Sequence, residues 1–398
     1  IECAEGEGLK IEIIRGEPLC KEREYLISEL YSDSSKIEIK ELTGGFSAQT
    51  YQVDSYDKNG RKMRQTVLKI ADADIIGREA QRCIEYAEPY IFNNSAKILG
   101  TSFIGTKGGL RYNFVGVGGE SSKLQWLTKY YLERDFYTLS PLFDRIFKNI
   151  LSPWYGQGRR EVLKPFSDHN PMLTFFANIP QNAKELLNIS ADDEYIDDYK
   201  HLINPYYLLK HIYPQHIEDK WDYIVGICHG DLNMQNILID EKENIYLIDF
   251  SETKQRNIVS DFARLEDIFV FEFSDLQNEE ELLDFISIIT PLYRAKSLDE
   301  EISVNYKGIT INLNSAAQEE FSQMPHYLKN GLRATVNMRE YAYYYSKEKN
   351  IVPYYFALLE WSLPILSYSS IKSIYTKRAS MIISSMIFET LNDIINFY

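Results

Sequence analysis

Residues 228–253 read CHGDLNMQNILIDEKENIYLIDFSET. Two apolar segments, ILID and IYLID, flank the charged turn DEKEN, a pattern that predicts a β-hairpin. Ahead of the hairpin stand an acid, Asp231, and an amide five residues on, Asn236; a second acid, Asp249, stands at its end. Two carboxylates and an amide converging on one loop region are three hard oxygen donors. Mg²⁺ takes such donors together with phosphate oxygens in octahedral geometry, so the pattern points to a magnesium-nucleotide site. With six histidines in the chain, HGDxxxxN would arise by chance in about one such chain in a thousand.

Upstream of this stretch, short β-like runs predominate from about Ile37 to Val117: KIEIKEL, TYQVDSY, a DKNG turn, RQTVLKIA, then AKILGTSFI and LRYNFVGVG separated by the turn GTKGG. An antiparallel sheet is predicted, interrupted by one helix at about Asp74–Glu88 and stopped by Pro89. From Ser121 to Tyr223 the spacing is mainly helical and aromatic, as in KLQWLTKYYLERDFYTLSPLFDRIFKNIL. Helical signals resume after the hairpin and continue to Tyr398, where the many Tyr and Phe residues read as helix packing.

Composition narrows the function classes. The 398 residues carry 43 basic and 58 acidic side chains, a formal charge of −15, which opposes binding to nucleic acid or anionic lipid. Cys3, Cys20, Cys83 and Cys228 are scattered, with neither a disulfide framework nor zinc-ligand spacing. There is no uncharged apolar run of membrane-spanning length, and the first twenty residues are too acidic for a signal peptide, so a cytoplasmic location and no membrane partner are expected. The start at Ile1 suggests a piece of a longer parent chain with other domains.

The order of these motifs resembles the aminoglycoside phosphotransferase-like branch of the protein-kinase fold, in which H-R-D-x-x-x-x-N and D-F-G occupy the places of HGDLNMQN and IDF. The wording HGDLNxxNIL…IDFSxT is similar, more closely, to the phosphotransferase-like domains called ternary complex associated domains, found within larger bacterial conflict or signalling proteins. The resemblance covers roughly Glu41–Leu265, with strong motifs only in Cys228–Phe250. It implies an α+β, bilobal protein-kinase-like fold. Residues 1–36 would form an N-terminal extension, 37–119 a small antiparallel-sheet N-lobe that clamps nucleotide, and 120–398 a large, mainly helical C-lobe holding the catalytic loop, 228–250.

The same resemblance implies ATP and Mg²⁺ as cofactors, and transfer of the γ-phosphate to a hydroxyl of a small molecule or protein. Asp231 would orient the hydroxyl and accept its proton, while Asn236 and Asp249 would hold Mg²⁺. Lys69, in the strand-like TVLKIA, would reach the α- and β-phosphates; an exposed strand lysine is the plain alternative, against which its apolar flanks argue. Glu79 is the candidate to pair with Lys69, although Glu85 and Glu88 share the element. Gly44 and Gly45 in LTGGFSAQTYQV would let backbone amides approach phosphate, with Ser47 at the tip, and the connector around Val117 would hold adenine. His229 would fix the loop rather than serve as a base. Asp261 would either support the loop from beneath or cap a helix. Gly230 replaces the arginine of regulated protein kinases, Ser251 stands where a DFG motif has glycine, and Asn233 where many small-molecule kinases have histidine. The rival reading is a pseudokinase module whose bound nucleotide regulates a longer protein.

Overall fold

Alternation with a period of two runs through KIEIKEL and QTYQVDSY, TVLKIAD is apolar on both faces, and each of these segments is a strand. The computed structural model describes residues 9–42, 48–113, 125–174, 176–196, 199–315 and 318–398. The chain divides into two units, one of Ile1–Tyr130 with Met234–Lys254 and one of Tyr131–Asn233 with Gln255–Tyr398.

In the first unit, strands β1 (Lys10–Arg15), β2 (Lys36–Leu42), β3 (Gln49–Tyr56), β4 (Thr66–Asp72), β5 (Ile98–Ile104) and β6 (Lys107–Asn113) form one sheet in the order β1-β2-β3-β4-β6-β5. All neighbours are antiparallel except β1, which adds to β2 in parallel. Successive side chains of a strand point to opposite faces. Leu68 and Ile70 of β4 therefore pack with Leu26, Ile27 and Leu30 of helix α1 (Lys21–Leu30). Val67 and Ala71 face the other way, toward Ile76 of helix α2 (Ala73–Arg82), Leu110 and Tyr112. Lys69 falls by parity on the α2 face. Each fully buried Leu or Ile contributes about 1.5–3 kcal/mol relative to exposure.

The sequence reading of GTKGG as a turn is only half right. The chain reverses at Gly105, which has φ +54°, whereas Gly108 and Gly109 lie inside β6. A Cβ on Gly108 would stand 2.9 Å from Ile76, and one on Gly109 2.9 Å from Leu30. The pair is glycine because helices approach closely on both faces of the strand. The hairpin read from ILID and IYLID is present: Ile237–Ile239 pairs with Ile245–Leu247, and Gln125–Trp126 adds on the open side of the first strand. Asp240 closes its turn by accepting the amides of Lys242 and Asn244 at 2.9 and 2.8 Å.

The second unit is mainly helical. Every residue of the helix Val352–Ser362 is buried, as expected of a helix apolar on all sides. Departures from the helical expectation occur, among them the strand pair Tyr195–Ile196 with Tyr199–Ile203. Trp221–Cys228 is a strand, paired antiparallel with Arg159–Leu163; its run YIVGIC is apolar without alternation, which periodicity cannot separate from a buried helix. Ser303–Tyr306 and Ile309–Asn312 form a hairpin whose two turn residues, Lys307 and Gly308, have φ +50° and +83°, the positive-φ pair that matches the twist of a two-residue hairpin. No helix among the described residues is long and apolar enough to cross a membrane. The fold is α+β.

Candidate functional site

Strand β4 is central in its sheet, so the lysine it carries on the α2 face is buried against that helix. The Lys69 ammonium lies 2.8 Å from Glu79 Oε2 and 2.9 Å from Asp249 Oδ2, with Glu79 wholly buried and Asp249 31% exposed. Burial alone would pull the lysine pKa down, but the charges of Glu79 and Asp249 outweigh it and hold Lys69 above the usual lysine range, a firm cation. Burial, with the nearby Asp249 charge, pushes the Glu79 carboxyl up, opposed by Lys69 and by the Tyr112 hydroxyl that donates to Glu79 Oε1. Tyr112 is itself pushed well above its ordinary value by burial and by Glu79, so it stays a donor. The helix acid is thus held by two partners, and Glu85 and Glu88 do not share in the Lys69 contact.

Asp249 has φ +60°, a left-handed conformation that costs an L-residue about 1–2 kcal/mol and concentrates at functional positions. Its Oδ1 accepts the Ser251 hydroxyl at 2.9 Å, so the residue standing in place of a glycine supplies a hydrogen bond. Arg82 of α2 donates to the Ser251 carbonyl and lies 3.6 Å from Glu252, and Arg78 reaches the same Glu252 at 3.6 Å. Phe250, beside Asp249, is fully buried. The Asn236 carbonyl accepts the amide of Ile248, 3.1 Å away, which ties the amide-bearing residue to the strand end carrying Asp249.

The donor set suits magnesium. Among the described residues no three His, Cys, Asp or Glu side chains gather as a closed metal cage. Mg²⁺ asks for less: one or two protein oxygens, with phosphate and water completing the octahedron. Asp249 and Asn236 carry oxygen donors of that type.

In the second unit the loop HGD is built on Asp261. This aspartate accepts the amides of His229 and Gly230 at 2.7 and 2.9 Å and the Tyr155 hydroxyl at 2.8 Å. It sits inside the helix Ser260–Asp267 and does not cap it, so loop support is the reading that holds. Gly230 has φ +86°, a left-handed backbone that glycine adopts without strain. Its carbonyl faces Arg256, 3.5 Å away, whose guanidinium also pairs with the buried Glu360; Glu360 in turn lies 2.8 Å from His169 Nδ1.

Asp231 is the most open carboxylate of this group, 39% exposed. Arg264 approaches its Oδ1 at 3.5 Å and the Asn233 amide its Oδ2 at 3.3 Å. Arg264 is fixed on its other sides by Asp267 and Glu272, each 3.3 Å away, and by the Trp361 ring, 4.3 Å from the guanidinium carbon. Such an arginine orients a carboxylate without taking its proton.

Of the residues singled out by sequence, Lys69, Glu79 and Asp249 meet in one ionic cluster, with Asn236 tied to it through backbone. Gly44, Gly45, Ser47 and Val117 lie outside the described residues. Sequence reasoning missed Tyr112, Arg82, Arg256 and the donor role of Ser251. The sequence signal for Tyr112 was its place on the same strand face as Leu110.

The family model of ternary complex associated domain 9 matches residues 37–201 and 180–360. No curated protein matches the chain. Among solved structures, aminoglycoside phosphotransferase APH(4)-Ia is similar with a TM-score of 0.46 at 12% identity, over 92% of this chain and 97% of that one. An ethanolamine kinase of Plasmodium vivax gives 0.36 at 16%, over 89% and 81%. The choline kinase LicA of Streptococcus pneumoniae gives 0.40 at 13%, over 92% and 99%.

Proposed function

We propose that this chain, which belongs to the ternary complex associated domain 9 family, is an ATP- and Mg²⁺-dependent phosphotransferase acting on a hydroxyl acceptor. The observation that carries the reading is the Lys69 ammonium held at 2.8 and 2.9 Å between a buried helix acid and Asp249. A lysine so placed is a fixed point charge for phosphate oxygens, and phosphoryl transfer needs little beyond positioning and neutralised charge.

In this reading Lys69 binds the α- and β-phosphates, Glu79 and Tyr112 keep it in place, and Asn236 and Asp249 hold the metal. Bound Mg²⁺ would neutralise phosphate charge as the γ-phosphoryl group departs. Asp231, oriented by Arg264 and Asn233, accepts the acceptor hydroxyl's proton. The acceptor oxygen bonds to the γ-phosphorus, the bond to the β,γ-bridging oxygen breaks, and ADP leaves with that electron pair. Asp261 and Arg256 fix the loop backbone that presents Asp231. Small alcohols and protein Ser or Thr hydroxyls both fit this chemistry.

The test is a screen of hydroxyl acceptors with γ-labelled ATP, with Asp231→Ala as the background. Label transfer by the wild-type protein that vanishes in the variant is the expected result. MgATP binding without transfer to any acceptor, water or the protein itself would instead favour a nucleotide-binding module within a longer chain.

A further inference from the structure

We propose that Ser251 and Arg82 are positioning residues for the Asp249 carboxylate, closing a ring through which helix α2 grips both of its oxygens. The inference rests on the metal-binding reading of Asp249 above. One arm runs from Glu79 through Lys69 to Asp249 Oδ2, in steps of 2.8 and 2.9 Å. The other runs from Arg82 to the Ser251 carbonyl, and from the Ser251 hydroxyl to Asp249 Oδ1 at 2.9 Å. Glu79 and Arg82 are three residues apart, so they stand on neighbouring positions of one helix face. The ring therefore begins and ends on α2, and every link lies within one unit.

Three features give the ring a function beyond packing. Asp249 is held at φ +60°, a strained conformation that persists only where the surroundings over-determine it; two donors, one per oxygen, do so. Ser251 has no positive φ, so nothing in its backbone calls for the glycine that a DFG motif has there, and a hydroxyl is available instead. Arg82 is braced by Glu252, which Arg78 also contacts, each at 3.6 Å, so the arm from the helix is not a single loose side chain. Partners that orient a metal-binding carboxylate tune its affinity for the metal, typically by 10–100-fold. The ring predicts that the hydroxyl of residue 251 sets how much Mg²⁺ the nucleotide site needs.

The experiment is a MgCl₂ titration at fixed AMP-PNP, read as the nucleotide-dependent rise in melting temperature, on wild type, Ser251→Ala, Ser251→Thr and Arg82→Gln. Expected are a half-saturating Mg²⁺ about tenfold higher for Ser251→Ala and for Arg82→Gln, and a value near wild type for Ser251→Thr, which restores the hydroxyl. A purely structural role would lower all melting temperatures without moving the Mg²⁺ midpoint. Midpoints for Ser251→Ala and Arg82→Gln within twofold of wild type overturn the ring while leaving the metal reading intact. A wild-type protein with no Mg²⁺-dependent shift overturns both. If Ser251→Ala does not fold, the Arg82→Gln midpoint alone decides.

Discussion

Asp261 Oδ1 accepts the backbone amide of Gly230 at 2.9 Å, at a residue whose φ is +86°. A buried carboxylate thus clamps the tightest bend of the HGD loop, and its second oxygen serves the His229 amide and the Tyr155 hydroxyl. Asp261→Ala strands three buried donors at once. We expect a loss of about 3–5 kcal/mol in urea unfolding, where each stranded group costs about 1–3 kcal/mol. Gly230→Ala should cost about 1–2 kcal/mol by forcing a Cβ into left-handed backbone. A Gly230→Ala variant as stable as wild type would contradict that bend.

Arg264 stacks on Trp361 while its Nε approaches Asp231. Lysine keeps the charge and loses the planar fork. In the labelled-ATP assay Arg264→Lys should therefore lower kcat about tenfold or more, the scale on which small misplacements of a reacting group act, with the Mg-nucleotide thermal shift unchanged. An equal loss in nucleotide binding would show that the arginine does something other than orient Asp231.

Lys69 is the counter-ion of a carboxylate with no exposure to water. Lys69→Met leaves Glu79 buried and facing Asp249 without a cation, so folding stability should fall by about 3–5 kcal/mol together with loss of nucleotide binding. The double variant Lys69→Met/Glu79→Gln should recover much of the stability and none of the binding. Asp249→Ala should abolish Mg²⁺-dependent nucleotide affinity, read by isothermal titration with and without EDTA; retained Mg²⁺ dependence would remove this residue from the metal set.

Acid should loosen the hairpin turn. Burial works against the Asp240 carboxylate, but the side chain and amide of Asn244, the Lys242 amide and the Tyr246 hydroxyl outweigh it and hold its pKa below the ordinary aspartate value. A folded pKa below the unfolded one means stability that is fully present above the unfolded value and is lost as pH falls through the depressed one. Asp240→Asn should cost about 1–2 kcal/mol at pH 6 and progressively less as the pH drops below about 4. A difference that stays constant down to pH 2 would contradict the depressed carboxyl.

What could be read ahead of the structure was chemistry confined to short strings. HGDLNMQN and IDF carry their acids at fixed local spacing, and Lys69 betrays its burial through Val67, Leu68 and Ile70. Glu79 was within reach because its helix follows directly on the strand it serves. Tyr112 meets Glu79 across 33 positions and Arg82 meets Ser251 across 169; no local pattern encodes such encounters. Gly108 and Gly109 misled because two glycines spell a turn, whereas here they mark where helices crowd a strand from both sides. The Ser303–Asn312 hairpin was overlooked because its signal is a lone Lys-Gly pair among helical neighbours.

The hairpin 237–247 is stitched to the sheet-bearing unit by the Leu247 amide on the Asn94 carbonyl at 2.7 Å and by the Asn94 side chain on the Ile245 carbonyl at 2.8 Å, yet about a hundred residues intervene after Tyr130. During synthesis at about 5–20 residues per second, the early strands must wait roughly 5–20 s for the piece that covers them. A nascent chain halted in that interval should present Ala96 and Tyr112 to solvent and attract chaperones, and no fragment that ends before Met234 can yield this unit whole.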